Sequence, residues 1–427
     1  MTLGPAPNFL NKTFNFRLAV ICAAAASVGL SMVVISFAKL LLVICGLGVL
    51  LTMHRHPDED SPLKGLATPI AVLTALLAFA LSLLWTIGPP AEALGSLAKY
   101  GKLLMILLIP IIVRNRSEAT YALAAFVLAQ TFLLASSWML FAKFPVPWAT
   151  SKMAATEFAV FSSYLDQGII SAVFAAVCWH FRGLMPGKFG SQVAIFMTFA
   201  ALANVLFVLS GRSGHIVAIT LVSIAIMWEF PKKYRMVAVL VPFLVVFGLI
   251  SSSSKVKDRL TRVQTEIRAY STLSEPATST GIRLDFWRRA LQTMEQHPLA
   301  GTGIGSWSTQ FNRLQREQNP AHVDINSNGN PHQEYLMWGA QLGIPGLLIF
   351  LALLLCYYKD TLDMRKEEAR AAQSTLAALA VACLFNSSIY DAQIGDFFCI
   401  LLGLLLALNH KPKSISLAEL PHQERPA

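Results

Sequence analysis

Charge is scarce in this chain. Asp, Glu, Lys and Arg together make up 14% of its residues, against about a quarter in ordinary soluble domains. Cysteine is absent from the one long polar stretch. Cys22, Cys45, Cys178, Cys356, Cys383 and Cys399 all fall in apolar runs, and no pair shows CxxC or Cys/His ligand spacing. That placement argues against a disulfide framework and a zinc site, and suits small buried apolar side chains. There is no Walker lysine motif, no six-position dinucleotide fingerprint and no glycosidase-type carboxylate couple, and no carboxylate cluster argues for a bound metal. Neither a metal nor a cofactor is expected, and no nucleic-acid partner.

Apolar length is abundant. Hydrophobic residues make up 55% of the 427, with a mean hydropathy of +0.56. A large soluble core does not require repeated near-uncharged runs of about 20 residues, whereas a bilayer does. The sequence predicts an all-α polytopic membrane protein with about twelve transmembrane helices. The runs are 18–34, 37–53, 68–87, 103–113 (extended at its front), 119–142, 168–181, 191–210, 215–230, 236–252, 335–357, 371–388 and 395–408. Residues 1–252 thus hold nine spans, 253–331 a large loop, 332–410 three spans and 411–427 a tail. The first run lacks a small-residue cleavage site and reads as a retained helix.

Basic residues set the expected orientation. Eighteen Lys and Arg fall on the side of the N-terminus and six in the short loops of the other side. The positive-inside trend makes the first side cytoplasmic, with both termini inside. The long loop then faces the outside. It carries ten bases and seven acids, a surplus that suggests a phosphate-bearing or lipid-headgroup partner. Three helical stretches are expected within it, over 253–269, 282–296 and 306–318. Gly301, Gly303 and Gly305 read as a turn between helices.

A few polar residues stand out against this background. Arg212 lies in Ser210-Gly211-Arg212-Ser213-Gly214-His215, a short turn between two spans. Its glycines let backbone amides approach an anion, and its guanidinium offers a planar fork for phosphate oxygens. Snorkelling as an interfacial anchor is the plain alternative. His332 follows Asn330-Pro331 where the loop re-enters the membrane, and is read at a helix start. An imidazole there suits proton transfer near neutral pH, or else structural hydrogen bonding. Arg283 shares a helical face with Trp287, and either points at a site, faces solvent or pairs with Asp285. Lys99 and Lys102 extend a basic rim or anchor a helix flank, and His215 is a supporting candidate. Asp166, Gln167, Asp391 and Asp396 read as helix-end caps or polar lining.

These motifs stand in a fixed order. Gly211-Arg212-Ser213-Gly214 and one further span precede the loop. Ser279-Thr280-Gly281-Ile282-Arg283 with Trp287, then His297-Pro298-Leu299 with Gly301 and Gly303, lie within it. Asn330-Pro331-His332-Gln333-Glu334-Tyr335-Leu336 closes it. This arrangement resembles the bacterial O-antigen ligase and O-antigen polymerase superfamily, over about 205–350 by motif and the whole chain by layout. The resemblance implies a metal-independent glycosyltransferase acting on undecaprenyl-pyrophosphate-linked glycan. It implies Arg212 and Arg283 on the donor pyrophosphate and His332 as the base. Many members have Gly-Arg adjacent where Ile282 intervenes here, so Arg288 is the fallback for Arg283. A ligase with lipid A-core as acceptor fits best. The same chemistry would serve a polymerase or a pilin oligosaccharyltransferase. A lipid-linked glycan transporter is the non-enzyme alternative, and no internal repeat favours it.

Overall fold

A computed structural model describes residues 16–55, 61–235, 240, 279–318 and 329–409, and every regular element among them is helical. The helices are α1 (Phe16–Ser27), α2 (Met32–Arg55), α3 (Thr68–Leu81), α4 (Pro90–Tyr100), α5 (Met105–Ile112), α6 (Arg116–Phe141), the single turn α7 (Ala154–Glu157), α8 (Tyr164–Phe181), α9 (Gly190–Ala203), α10 (Arg212–Glu229), α11 (Ser279–Gln296), α12 (Trp307–Gln318), α13 (Glu334–Thr361), α14 (Lys366–Ala382) and α15 (Ala392–Ala407). Five helical stretches are long and apolar enough to cross a membrane, and three shorter ones are apolar as well. The chain is a multi-pass membrane protein. Apart from residue 240, the expected span over 236–252 lies outside the described residues, as does the expected loop helix over 253–269.

Lipid tails compete for apolar side chains, so helices in a bilayer associate through close packing and polar contacts. Small residues mark the crossings. A Cβ on Gly214 of α10 would sit 2.9 Å from the Gly168 backbone of α8, and one on Gly403 of α15 would sit 2.8 Å from the Met105 carbonyl of α5. Gln130 of α6 donates to the Val28 carbonyl at 2.6 Å, tying α6 to the α1–α2 turn. Within the bundle Asp396, fully buried, accepts from Lys39 of α2 at 2.5 Å and has Lys102 at 4.0 Å. Lys102 also donates to the Asp391 carbonyl at 2.7 Å.

The two ends of the bundle differ. At one end basic residues are anchored. Arg116 pairs with Glu368, Glu229 takes Arg182 at 3.0 Å and Arg370 at 3.6 Å, and Arg17 donates to the Ile112 carbonyl at 2.7 Å. At the other end α8, α10 and α15 begin and α6 and α14 finish. The candidate residues lie there.

The apolar run read as one span over 335–357 is not a straight helix. Gly343, with φ 72° and ψ −164°, interrupts α13. Tyr335 meets Phe350 edge-on and Trp338 lies tilted against it, with ring centroids 4.9 and 5.0 Å away. In a continuous helix residues 335 and 350 would stand about 22 Å apart. The segment 334–342 therefore folds back along the segment that follows Gly343. Apolar composition is the same on both sides of such a turn, which is why hydropathy reads one span.

The glycine triplet fastens this re-entrant segment. Gly301, Gly303 and Gly305 all have positive φ, open to glycine without a steric cost. A Cβ on Gly303 would lie 2.3 Å from Thr86 Cα, and one on Gly301 2.3 Å from the Gln341 carbonyl carbon. Thr302 and Gly303 donate to the Ala340 and Gln341 carbonyls at 3.0 and 2.9 Å, and Ile87 donates to Thr302 at 3.1 Å. The turn expected from sequence is thus a backbone wedge between α3–α4 and α13.

Candidate functional site

Arg212 is the first residue of α10, one position later than a turn residue, and it is exposed. Gly211 caps the helix without a side-chain bond, leaving the first amides of α10 uncapped by any side chain. The turn packs tightly on α8. A Cβ on Gly211 would lie 3.1 Å from the Tyr164 carbonyl oxygen and 3.4 Å from the Tyr164 ring. Just before the turn, a π-helical stretch over Asn204–Val208 ends α9. Ser210 then donates to Glu157 of α7. His215 turns its Nδ1 to the Gly211 carbonyl at 2.6 Å, an internal brace for the first turn of α10.

Arg283 projects from the first turns of α11 and is half-buried. It lies within electrostatic reach of both Arg212 and Tyr164. Burial and the Arg212 charge press its pKa down from the ordinary arginine value, with Tyr164 opposing. The Asp285 carboxylate takes Arg289 at 2.9 Å. Among the described residues neither Arg212 nor Arg283 has a carboxylate partner. Two guanidiniums within electrostatic reach of each other, neither paired to a carboxylate among the described residues, form a locus that favours an anion. Arg288, the fallback, is exposed on α11. Trp287 packs against the core as expected.

His332 stands outside α13. Gln333 is the N-cap and Glu334 the first helical residue, so the helix starts two residues after His332. His332 has φ 54°, the left-handed region that a non-glycine residue enters at a cost of about 1–3 kcal/mol. Asn330 meets that cost by accepting the His332 backbone N–H at 2.8 Å. The imidazole lies nearly parallel to Phe286 of α11, with centroids 6.1 Å apart and planes at 17°. Burial first, then the nearby Arg283 charge, lowers its pKa below the usual 6.5, opposed by a hydrogen bond with Asn386.

Glu334 holds the floor of this region. Its buried carboxylate accepts from Tyr100 at 3.2 Å, Trp338 at 2.9 Å and the backbone amides of Ile389 and Tyr390 at 3.0 and 3.2 Å. That bond set clamps the α14–α15 turn against the start of α13. Asp391, at the end of the turn, accepts from Asn330 at 3.3 Å. Burial pushes Asp391 up to about 6, with Lys102, Lys99 and an Asn386 hydrogen bond pulling the other way. Lys99 is exposed and sits 4.0 Å over the Tyr390 ring. Lys102 is buried on Asp396 and backbone carbonyls rather than standing on a rim.

The structure thus brings Arg212, Arg283 and His332 into one chain of neighbours, with Tyr164, Phe286, Asn330, Asn386 and Asp391 around them. Residues 196–351, which carry all three, match the family model described as O-antigen ligase. This match supports membership of the O-antigen ligase family. No curated protein matches the chain. The matched segment of the ligase family runs from α9 through the fold-back of α13, so it contains both arginine-bearing helix starts and the histidine turn. Tyr164 and Asn386 lie outside that segment. Sequence reasoning gave neither a role in the site: the Asn386-Ser387-Ser388 to Asp391 turn counted only toward the likeness to ligases, and a tyrosine beside a span carries no pattern of its own.

Proposed function

We propose that this protein is an inverting glycosyltransferase that moves O-antigen polysaccharide from undecaprenyl pyrophosphate to lipid A-core. In this reading the reaction takes place at the periplasmic face of the inner membrane, with both termini in the cytoplasm. The observation that carries the proposal is the gathering of Arg212, Arg283 and the His332 imidazole at one end of the bundle, with no carboxylate paired to either arginine among the described residues. The family match supports the same chemistry.

The donor sugar is activated already, because its leaving group is a lipid pyrophosphate. Arg212 and Arg283, with the amides at the start of α10, bind that group and stabilise the charge that grows on it. The acceptor sugar hydroxyl gives its proton to His332 while its oxygen attacks the anomeric carbon. The bond from that carbon to the pyrophosphate oxygen breaks, and its electron pair leaves with undecaprenyl pyrophosphate. Attack opposite the leaving group inverts the anomeric centre. Lys99 and His215 act as supports, one at the Asp391 side and one within α10. Fixed charges do this work without reorganising, and more strongly where water is sparse.

Deletion of the gene tests the reading. Loss of glycan from lipid A-core with long chains left on the carrier is the expected outcome. Single repeats transferred to lipid A-core would make the protein a polymerase, and a carrier held on the cytoplasmic side would make it a transporter.

A further inference from the structure

The segment that delivers Arg212 is tied at both ends to one short strap, the connection 142–163 between α6 and α8. At its near end α9 passes into the π-helical turn over Asn204–Val208, closed by the Leu209 N–H on the Asn204 carbonyl at 2.9 Å. The Asn204 side chain, fully buried, donates to Ser137 Oγ of α6 at 3.1 Å. Ser137 donates in turn to the Phe158 carbonyl of the strap at 2.9 Å. At the far end Ser210 donates to the Glu157 carboxylate. Two adjacent residues of the strap therefore hold positions 204 and 210, and Arg212 follows two residues later. The strap is itself fixed to the bundle. Gln167 of α8 accepts the Val160 N–H at 2.7 Å and donates to the Phe158 carbonyl at 3.4 Å. Trp148 donates to Ser136 of α6 at 3.0 Å, and the Thr150 and Ser151 amides share the Val160 carbonyl at 2.9 and 3.0 Å.

We propose that Glu157 and Asn204 are positioning residues which, through Ser210 and the π turn, fix where Arg212 stands. The inference rests on the reading of Arg212 as a ligand of the donor pyrophosphate. A π turn takes in one residue more than an α turn, so the chain leaves α9 about 100° round from where an α-helix would release it. Asn204 fastens that wider turn to α6 and the strap. Glu157 then fixes the hydroxyl at the mouth of the Gly211 turn, which is already pressed on Tyr164. The role asks for a hydrogen-bond acceptor at 157 and a donor at 204, and it does not ask for charge. A negative charge close to a pyrophosphate site opposes the anion, so a neutral acceptor at 157 would serve the clamp as well.

The test uses the full chain in detergent micelles, with undecaprenyl pyrophosphate as the probe and its Kd as the readout. Arg212→Lys loses the planar fork, and Glu157→Ala lets the fork drift. Each is expected to raise Kd about 10-fold. Ser210→Ala removes the other half of the same bond and is expected to match Glu157→Ala. Glu157→Gln keeps an acceptor for Ser210 and is expected to bring Kd back to within about 2-fold of native. Asn204→Leu is expected to weaken binding as Glu157→Ala does, and Ser137→Ala cuts the same tie from the α6 side with a smaller change of volume. Glu157→Ala added to Arg212→Lys is expected to cost less than about a further 2-fold, because both changes disable one interaction, whereas independent effects multiply. A native Kd in Glu157→Ala, a multiplied loss in the double variant, or Glu157→Gln as impaired as Glu157→Ala would overturn the proposal and leave Arg212 a donor ligand. A native protein that does not bind undecaprenyl pyrophosphate, or Arg212→Lys with native Kd, would remove the donor reading and the clamp with it.

Discussion

Three side chains carry the proposed chemistry, and each has a distinct signature on removal. His332→Ala takes away a placed base, which typically costs about 10²–10⁴ in rate. Donor binding should persist, because the arginines remain. Single-turnover transfer with saturating donor measures it, and an unchanged rate would leave the imidazole a structural role. Arg212→Lys keeps the charge and loses the planar fork. Loss of about 10²-fold in kcat is expected if the fork meets the developing pyrophosphate charge, while a native rate would make Arg212 an anchor. Arg283 also sets the pH dependence. Burial and the Arg283 charge hold His332 below 6.5, so the bare base persists into mildly acidic solution and is lost as pH falls through the lowered value. Arg283→Gln removes a nearby cation, which makes protonation easier. The acid limb of kcat/KM should therefore move to higher pH as the overall rate falls, and a stationary limb would separate the two residues.

The elements that matter most are those that depart from straight helices. The fold-back at Gly343 sets the start of α13, and with it His332, beside the α14–α15 turn. A Cβ at position 343 would lie 2.5 Å from the Pro298 carbonyl oxygen, on a backbone with φ +72°. Gly343→Ala should therefore destabilise by at least the about 1–3 kcal/mol typical of a strained backbone residue. A lowered Tm in detergent checks this, and an unchanged Tm would mean that the hairpin tolerates side chains. The wedge at Gly301, Gly303 and Gly305 belongs to the same device, since it bonds the residues just before the turn. The π-helical end of α9 is the other irregular element. It precedes the tight Gly211 turn that sets Arg212 against α8.

At the scale of the molecule, burial of charge and sidedness are the deciding properties. Asp396 is buried between Lys39 and Lys102. Removing the charge of one partner from such a cluster leaves the rest uncompensated, at a cost of about 3–5 kcal/mol. Asp396→Asn should lower thermal stability in detergent accordingly. Lys39→Met should cost less, because its side chain is 26% exposed. A smaller loss for Asp396→Asn than for Lys39→Met would show that the lysines find other partners. Sidedness is tested with Lys152→Cys and Lys366→Cys, both at exposed positions. A membrane-impermeant maleimide added outside spheroplasts should label position 152 and spare 366, and the reverse pattern would invert the proposed orientation.

Apolar runs, scattered bases and a few short motifs were enough to read a helical membrane protein, to expect helices over 282–296 and 306–318, and to pick out Arg212, Arg283 and His332. These are properties of composition and local spacing, which the bilayer converts directly into helices. The sequence could not separate a span from a hairpin, because Tyr335, Trp338 and Phe350 are apolar in either arrangement and one glycine decides between them. Nor could it assign Lys102 to Asp396, or join Asn330 to Asp391, because such pairings depend on where helix ends meet. Only the packed tertiary structure brings α8, α10, α11 and the α14–α15 turn to one end of the bundle. Short-range spacing carries no information about that convergence.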